Sequence, residues 1–121
     1  DEITNARIQN ANYFDKHLSN IPGIIVPERP PKSMQVFHIY VIQCEQREEL
    51  QKFLIKNGID AKIHYPVPMH LQPAARKYNY KEGDFPIAES ICKSVLSLPV
   101  HEYISSNDRE FVVKNIIDFY S

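Results

Sequence analysis

Met34-Gln35-Val36-Phe37-His38-Ile39-Tyr40-Val41-Ile42-Gln43 is the stretch on which the reading of the fold turns. Side chains of an extended chain point alternately to its two sides. Here Phe37, Ile39 and Val41 take one side, and Val36, His38, Tyr40 and Ile42 take the other. A strand that is largely apolar on both faces belongs in the middle of a sheet, covered on both sides.

Working outward, Ile3 to Leu18 reads as a helix, with Ile3, Ala6, Ala11, Phe14 and Leu18 at three- and four-residue steps. Ile21-Pro22-Gly23 stops it, since Pro cannot continue the hydrogen-bond ladder. A short apolar piece, Ile24-Ile25-Val26, and a stiff Pro-rich loop, Pro27 to Pro31, lead to the central strand. Beyond it, Glu45 to Asn57 forms a short helix with Leu50, Phe53 and Leu54 inward and Gly58 at its end. Ile59 to Tyr65 reads as a second strand and Leu96-Ser97-Leu98-Pro99 as a third. Pro86 to Val95 is a helix with Pro in its first turn. Ser105 caps the last helix, with Asp108 three residues on and Val112, Val113, Ile116, Ile117 and Phe119 as its apolar stripe. The segment from Pro66 to Phe85 is long and irregular, because Pro66, Pro68 and Pro73 forbid regular structure over its first half. The sum is α+β: a small open three-stranded sheet, antiparallel or mixed, with helices packed on one face.

A chain of 121 residues is sized for one domain, 1–121. Its 14 basic and 15 acidic residues are interspersed, so no basic patch points to nucleic acid or to an anionic membrane. Two cysteines, Cys44 and Cys92, make no disulfide framework and fit a reducing, cytoplasmic setting. No apolar run reaches membrane length. The chain opens directly on a polar helix, Asp1-Glu2-Ile3-Thr4-Asn5, which reads as the start of a fragment.

Chemistry concentrates in His64-Tyr65-Pro66-Val67-Pro68-Met69-His70-Leu71-Gln72-Pro73, where two imidazoles, a phenol and a carboxamide sit on a proline-stiffened loop. Such a loop holds polar groups in place at low entropic cost, as a binding site requires. The same groups could instead satisfy the loop's own backbone. His64 and His70 lack the helical spacing and companion ligands of a metal site. Cys92 lies among Ile87, Ala88, Ile91 and Val95 and reads as core filler. Gly23, Gly58 and Gly83 are too far apart to cradle a phosphate. Glu89 lies early in its helix, where a carboxylate favours the dipole.

Taken together, these stretches resemble the DegT/DnrJ/EryC1/StrS family of sugar aminotransferases. Arg7, Ala11, Tyr13 and Leu18 are similar to that family's first small-domain helix, and His38-Ile39-Tyr40-Val41-Ile42 to its first long strand. Gly58-Ile59 with His64 to Gln72 is similar to its most recognisable small-domain motif. Tyr80, Gly83-Asp84-Phe85-Pro86, Ala88-Glu89 and Leu96-Ser97-Leu98-Pro99-Val100-His101-Glu102 continue in order and at the right spacing.

The resemblance implies the carboxy-terminal small domain of a pyridoxal-phosphate (PLP) enzyme that moves an amino group from glutamate to a nucleotide-linked keto-sugar, for surface polysaccharide or glycan biosynthesis. It implies a large PLP-binding domain upstream with the Schiff-base lysine, a homodimer, and a small domain that helps shape the sugar pocket. His64, Tyr65, His70 and Gln72 are then the substrate-binding residues, or they pin the loop to the large domain. His38 with Tyr40 is read as a structural pair, and Val100-His101-Glu102 as a turn. No catalytic residue and no PLP site is expected in this chain. Among its nine lysines Lys62, two residues before His64, is the best placed, yet reads as a surface charge. Two alternatives remain: the small domain of a related sugar dehydratase, and a free-standing α+β binding or regulatory module without catalysis.

Overall fold

A computed structural model describes all of the chain, Asp1–Ser121. The elements run α1 (Glu2–Leu18), β1 (Ile24–Ile25), β2 (Tyr40–Cys44), α2 (Arg47–Lys56), α3 (Pro86–Ser94), β3 (Val95–Leu98) and α4 (Ser106–Tyr120). Two 3₁₀ turns, Met69–Leu71 and Pro73–Tyr78, punctuate the long loop. The sheet is three-stranded and antiparallel in the order β1-β2-β3, with Ile24 opposite Cys44 and Tyr40 opposite Leu98.

β2 is the central strand, as its two apolar faces predict, but it begins at Tyr40 rather than Met34. Phe37 sits in the left-handed region at φ 49°, which breaks the extended chain before the ladder starts. The third strand is also a different segment. Ile24–Ile25, read as a mere apolar piece, is β1, whereas Ile59 to Tyr65 contributes a single bridge, Lys62 to Ser97. Its amides turn away on both sides of that bridge. Ala61 N–H donates to the Ile59 carbonyl, and Tyr65 turns left-handed just before Pro66.

Phe14 and Leu18 of α1, Leu50 and Leu54 of α2, and Val112 and Ile116 of α4 bury against Tyr40, Ile42 and Leu96 in one core. Neighbours on a strand point oppositely, so Gln43 faces away from this core. There Ser94 Oγ at the end of α3 donates to Gln43 Oε1 at 3.3 Å. Gly58, left-handed at φ 81°, follows α2 as a C-terminal cap does. At α4 the capping box is complete: Ser105 N–H donates to Asp108 Oδ2 at 2.9 Å and Asp108 N–H to Ser105 Oγ at 3.1 Å. The buried stripe of α4 departs from the sequence reading at Asn115, Ile117 and Phe119, the last of which is only half-buried. Ile117 is exposed, and Asn115 is buried because its amide donates back to the Phe111 carbonyl at 2.9 Å and needs no water.

Truncating Leu54, fully buried, to Ala is expected to cost about 2–5 kcal/mol. Ile55→Ser, one residue on and exposed, is expected to stay within about 0.5 kcal/mol of wild type. Urea unfolding of the two variants checks which face of α2 is inward.

Candidate functional site: the His64–Gln72 loop and its cleft

The chain after α2 runs beside β3 with Ile59 and Ala61 buried. Lys62 and Ser97 exchange both backbone bonds, at 3.0 and 2.8 Å. This bridge delivers His64 to the sheet edge, where its Nδ1 lies 2.8 Å from the hydroxyl of buried Ser97. The other ring nitrogen, Nε2, has no partner in the chain. Tyr65 follows at φ 56°, and its side chain stands 72% exposed.

His70 and Gln72 face elsewhere. His70 Nε2 is 3.0 Å from Glu89 Oε1, with the two side chains only 8% and 9% exposed, and the Phe85 ring centre lies 4.8 Å from the imidazole. Glu89 also accepts the Gly83 N–H at 2.9 and 3.0 Å and the Phe85 N–H at 3.2 Å. These donors, the Gly83 amide foremost, hold the Glu89 carboxyl below the usual glutamate range against the opposing effect of burial. A carboxylate only accepts, so His70 carries a proton on Nε2. Gly83 aims its amide inward from φ 93°, which a side chain would strain. Gln72 Nε2 donates to the Val67 carbonyl at 3.2 Å and closes the loop on itself. Of the four residues singled out from sequence, His64 and Tyr65 are presented outward; His70 and Gln72 bond within the domain.

Beside His64 lies a shallow cleft of about 160 Å³ lined by Arg7, His38, Asp60, Lys62, His64 and His101, with Ser97 at its base. Arg7 is fixed there: it donates to Glu102 at 3.0 and 3.2 Å and to the Phe37 and His38 carbonyls at 3.2 Å. Lys62 Nζ pairs with Asp60 at 2.9 Å. His38 and His101, taken from sequence as a sheet pair and a turn, therefore share a cleft with His64. The signal is the antiparallel register: pairing Tyr40 with Leu98 carries the residue two before one toward the residues just after the other. A hollow of about 260 Å³ between Gly58–Asp60, Pro99 and the start of α4 holds none of His64, Tyr65, His70 and Gln72.

The lysines of this chain do not suit a Schiff base with PLP. All nine lysines are exposed, and Lys62 is 61% exposed and paired with Asp60, so none has the desolvation that makes an amine nucleophilic at neutral pH. No His, Cys, Asp or Glu side chains gather in threes to hold a metal ion. Cys44 is buried and its thiol is pushed up to about 11, the protonated, unreactive state. No helix is long and apolar enough to cross a membrane.

Comparison with known proteins meets this geometry. The profile of the DegT/DnrJ/EryC1/StrS aminotransferase family matches residues 1–117. The chain is 35% identical over 116 residues to the erythromycin biosynthesis sensory transduction protein EryC1 of Saccharopolyspora erythraea, covering 96% of this chain and 32% of that protein. It is 41% identical over 87 residues to the dTDP-3-amino-3,4,6-trideoxy-alpha-D-glucose transaminase of Streptomyces venezuelae, covering 72% of this chain and 23% of that one. Its fold superimposes on the crystal structure of S. venezuelae DesV in complex with a ketimine intermediate at a TM-score of 0.93, with 33% identity over 98% of this chain and 32% of that one. The chain belongs to the DegT/DnrJ/EryC1/StrS aminotransferase family. It spans about a third of the length of the relatives that it matches over nearly its whole length.

The lowered pKa of Glu89 has a pH signature. A group whose folded pKa is depressed stabilises fully above its unfolded value, about 4.3 for glutamate, and loses that contribution as pH falls through the folded value. The stability gap between wild type and Glu89→Gln is therefore expected to be constant near neutrality and to shrink below about pH 4.3. Urea midpoints measured from pH 7 downward check it.

Proposed function

We propose that this chain is the carboxy-terminal small domain, residues 1–121, of a PLP-dependent nucleotide-sugar aminotransferase. The reading is of an amino group passed from glutamate to a keto-sugar nucleotide, in the cytoplasm, for surface polysaccharide or glycan biosynthesis. The observation that carries it is the placement of His64 in a cleft beside Arg7, His38, Lys62 and His101, next to an exposed Tyr65, in a chain matched by the family from residue 1 to residue 117. Relatives named as transaminases of dTDP-linked amino sugars supply the substrate class. His64 Nε2 and the Tyr65 hydroxyl meet the sugar or its phosphates; His70 and Gln72 shape the loop that presents them. PLP, when bound in the parent protein, supplies the carrier for the amino group, and a lysine outside this chain holds it. A large domain and a second subunit are the partners, with no part for nucleic acid or membrane. The exposed side chains of Tyr65, Met69, Tyr78 and Ile87 support this over a free-standing module, since an apolar surface of that kind asks for a cover.

Two measurements test the reading. One equivalent of PLP followed by borohydride is expected to leave only scattered, substoichiometric adducts on the exposed lysines of the 121-residue chain, by peptide mass mapping; a stoichiometric adduct on Lys62 alone would overturn the assignment of the cofactor lysine to another part of the protein. In the full-length parent, His64→Ala is expected to raise KM for the keto-sugar nucleotide about tenfold or more, the worth of one hydrogen bond to a charged group. The glutamate half-reaction should move less than about twofold. A parent that transfers no amino group to any keto-sugar nucleotide would sink the proposal.

A further inference from the structure

We propose that Glu89 is a positioning residue: its buried carboxylate, acting through His70, sets the shape of the loop that presents His64 and Tyr65. The proposal rests on the reading of that loop as a substrate contact and adds a residue lying outside it.

The helix that carries Glu89 is turned inside out. Ile87 on α3 is 76% exposed and Ile91 is exposed too, while Glu89 is the one residue of the helix that is buried. Burying a carboxylate costs heavily unless donors surround it. Here they come from three places: Gly83 and Phe85 just before the helix, and His70, 19 residues back in the chain. The first two would serve as an ordinary cap for the first turn of α3. The His70 bond does something else, because it ties the loop's first 3₁₀ turn to a different element.

That tie matters because the segment in between has no ladder of its own. No backbone amide from Ile63 to His70 donates to another backbone group, and Pro66 and Pro68 have no N–H to give. Apart from the local turn bonds that Leu71 and Gln72 give to the Pro68 and Met69 carbonyls, the segment is held by side chains. His64 leans on Ser97, Gln72 reaches the Val67 carbonyl, and His70 reaches Glu89. The last of these is well shielded from water, its two side chains being only 8% and 9% exposed. With Tyr65 already left-handed, small displacements at His70 pass through two stiff prolines to the His64–Tyr65 corner.

The test compares His70→Ala, which leaves the Gly83 and Phe85 bonds to Glu89 in place, with Glu89→Ala and with His70→Gln, whose amide can still donate to Glu89. In the 121-residue chain, the ¹⁵N order parameters of Tyr65, Val67 and Met69 are expected to fall from a rigid value of about 0.85 to below about 0.6 in both alanine variants. Amides of β2 and α4 should not move, and His70→Gln should restore the loop. In the full-length parent the same alanine variants are expected to raise KM for the keto-sugar nucleotide several-fold without changing the glutamate half-reaction. A loop that stays rigid in His70→Ala overturns the positioning role, and a raised KM beside a rigid loop makes His70 a direct contact instead. A loosened loop with unchanged KM also overturns it, and places the fault with the reading of the loop as a substrate contact.

Discussion

The Asp15 carboxylate is the interaction on which the packing of the domain depends. It accepts the Tyr40 hydroxyl at 2.7 Å and the Nε and Nη2 of Arg29 at 2.9 Å. Tyr40 is almost fully buried at the head of the central strand, where an unpartnered phenol would be costly. Burial and the neighbouring carboxylate push its titration well up, so it stays a donor wherever the protein is folded. Arg29 completes the node by stacking over Phe37 and Tyr40 at 5.0 and 5.5 Å. One carboxylate thus joins α1, β2 and the Pro-rich connection, three parts distant in sequence and without a shared hydrogen-bond ladder.

Glu89 repeats this arrangement beside the long loop, but on thinner support. The core around Tyr40 has Phe14, Ile42 and Leu96 behind it, whereas neither 3₁₀ turn of the loop buries a single residue. Local stability follows buried apolar contact, so the loop belongs to the less stable part of the fold and its polar ties carry more of its shape. A part that has to meet a ligand or another domain is commonly drawn from that end of the stability range.

The helices were legible in the sequence because each has its own periodicity and punctuation: Ala11, Phe14 and Leu18 before Pro22 in α1, and Ser105 with Asp108 before the stripe of α4. The class of fold and the central place of β2 followed from a strand apolar on both sides. The partner strand was misread because Ile59 to Tyr65 has the composition of a strand while its backbone amides go elsewhere, and amide pairing is not written in composition. At the site, the His64–Gln72 loop was visible from its residue types. The division between outward His64 and inward His70 was not, since it depends on a carboxylate 19 residues further along. His38 and His101 escaped for a similar reason: they meet only through strand register.

The brevity of β1 bears on how the domain behaves in a crowded solution. An outer strand with free N–H and C=O groups invites a neighbouring chain to extend the sheet. Here that strand has two residues, and Pro27, Pro30 and Pro31 follow closely, so the free edge cannot lengthen. At this edge, whatever stickiness the exposed isoleucines and tyrosines confer works through side chains rather than through extension of the sheet.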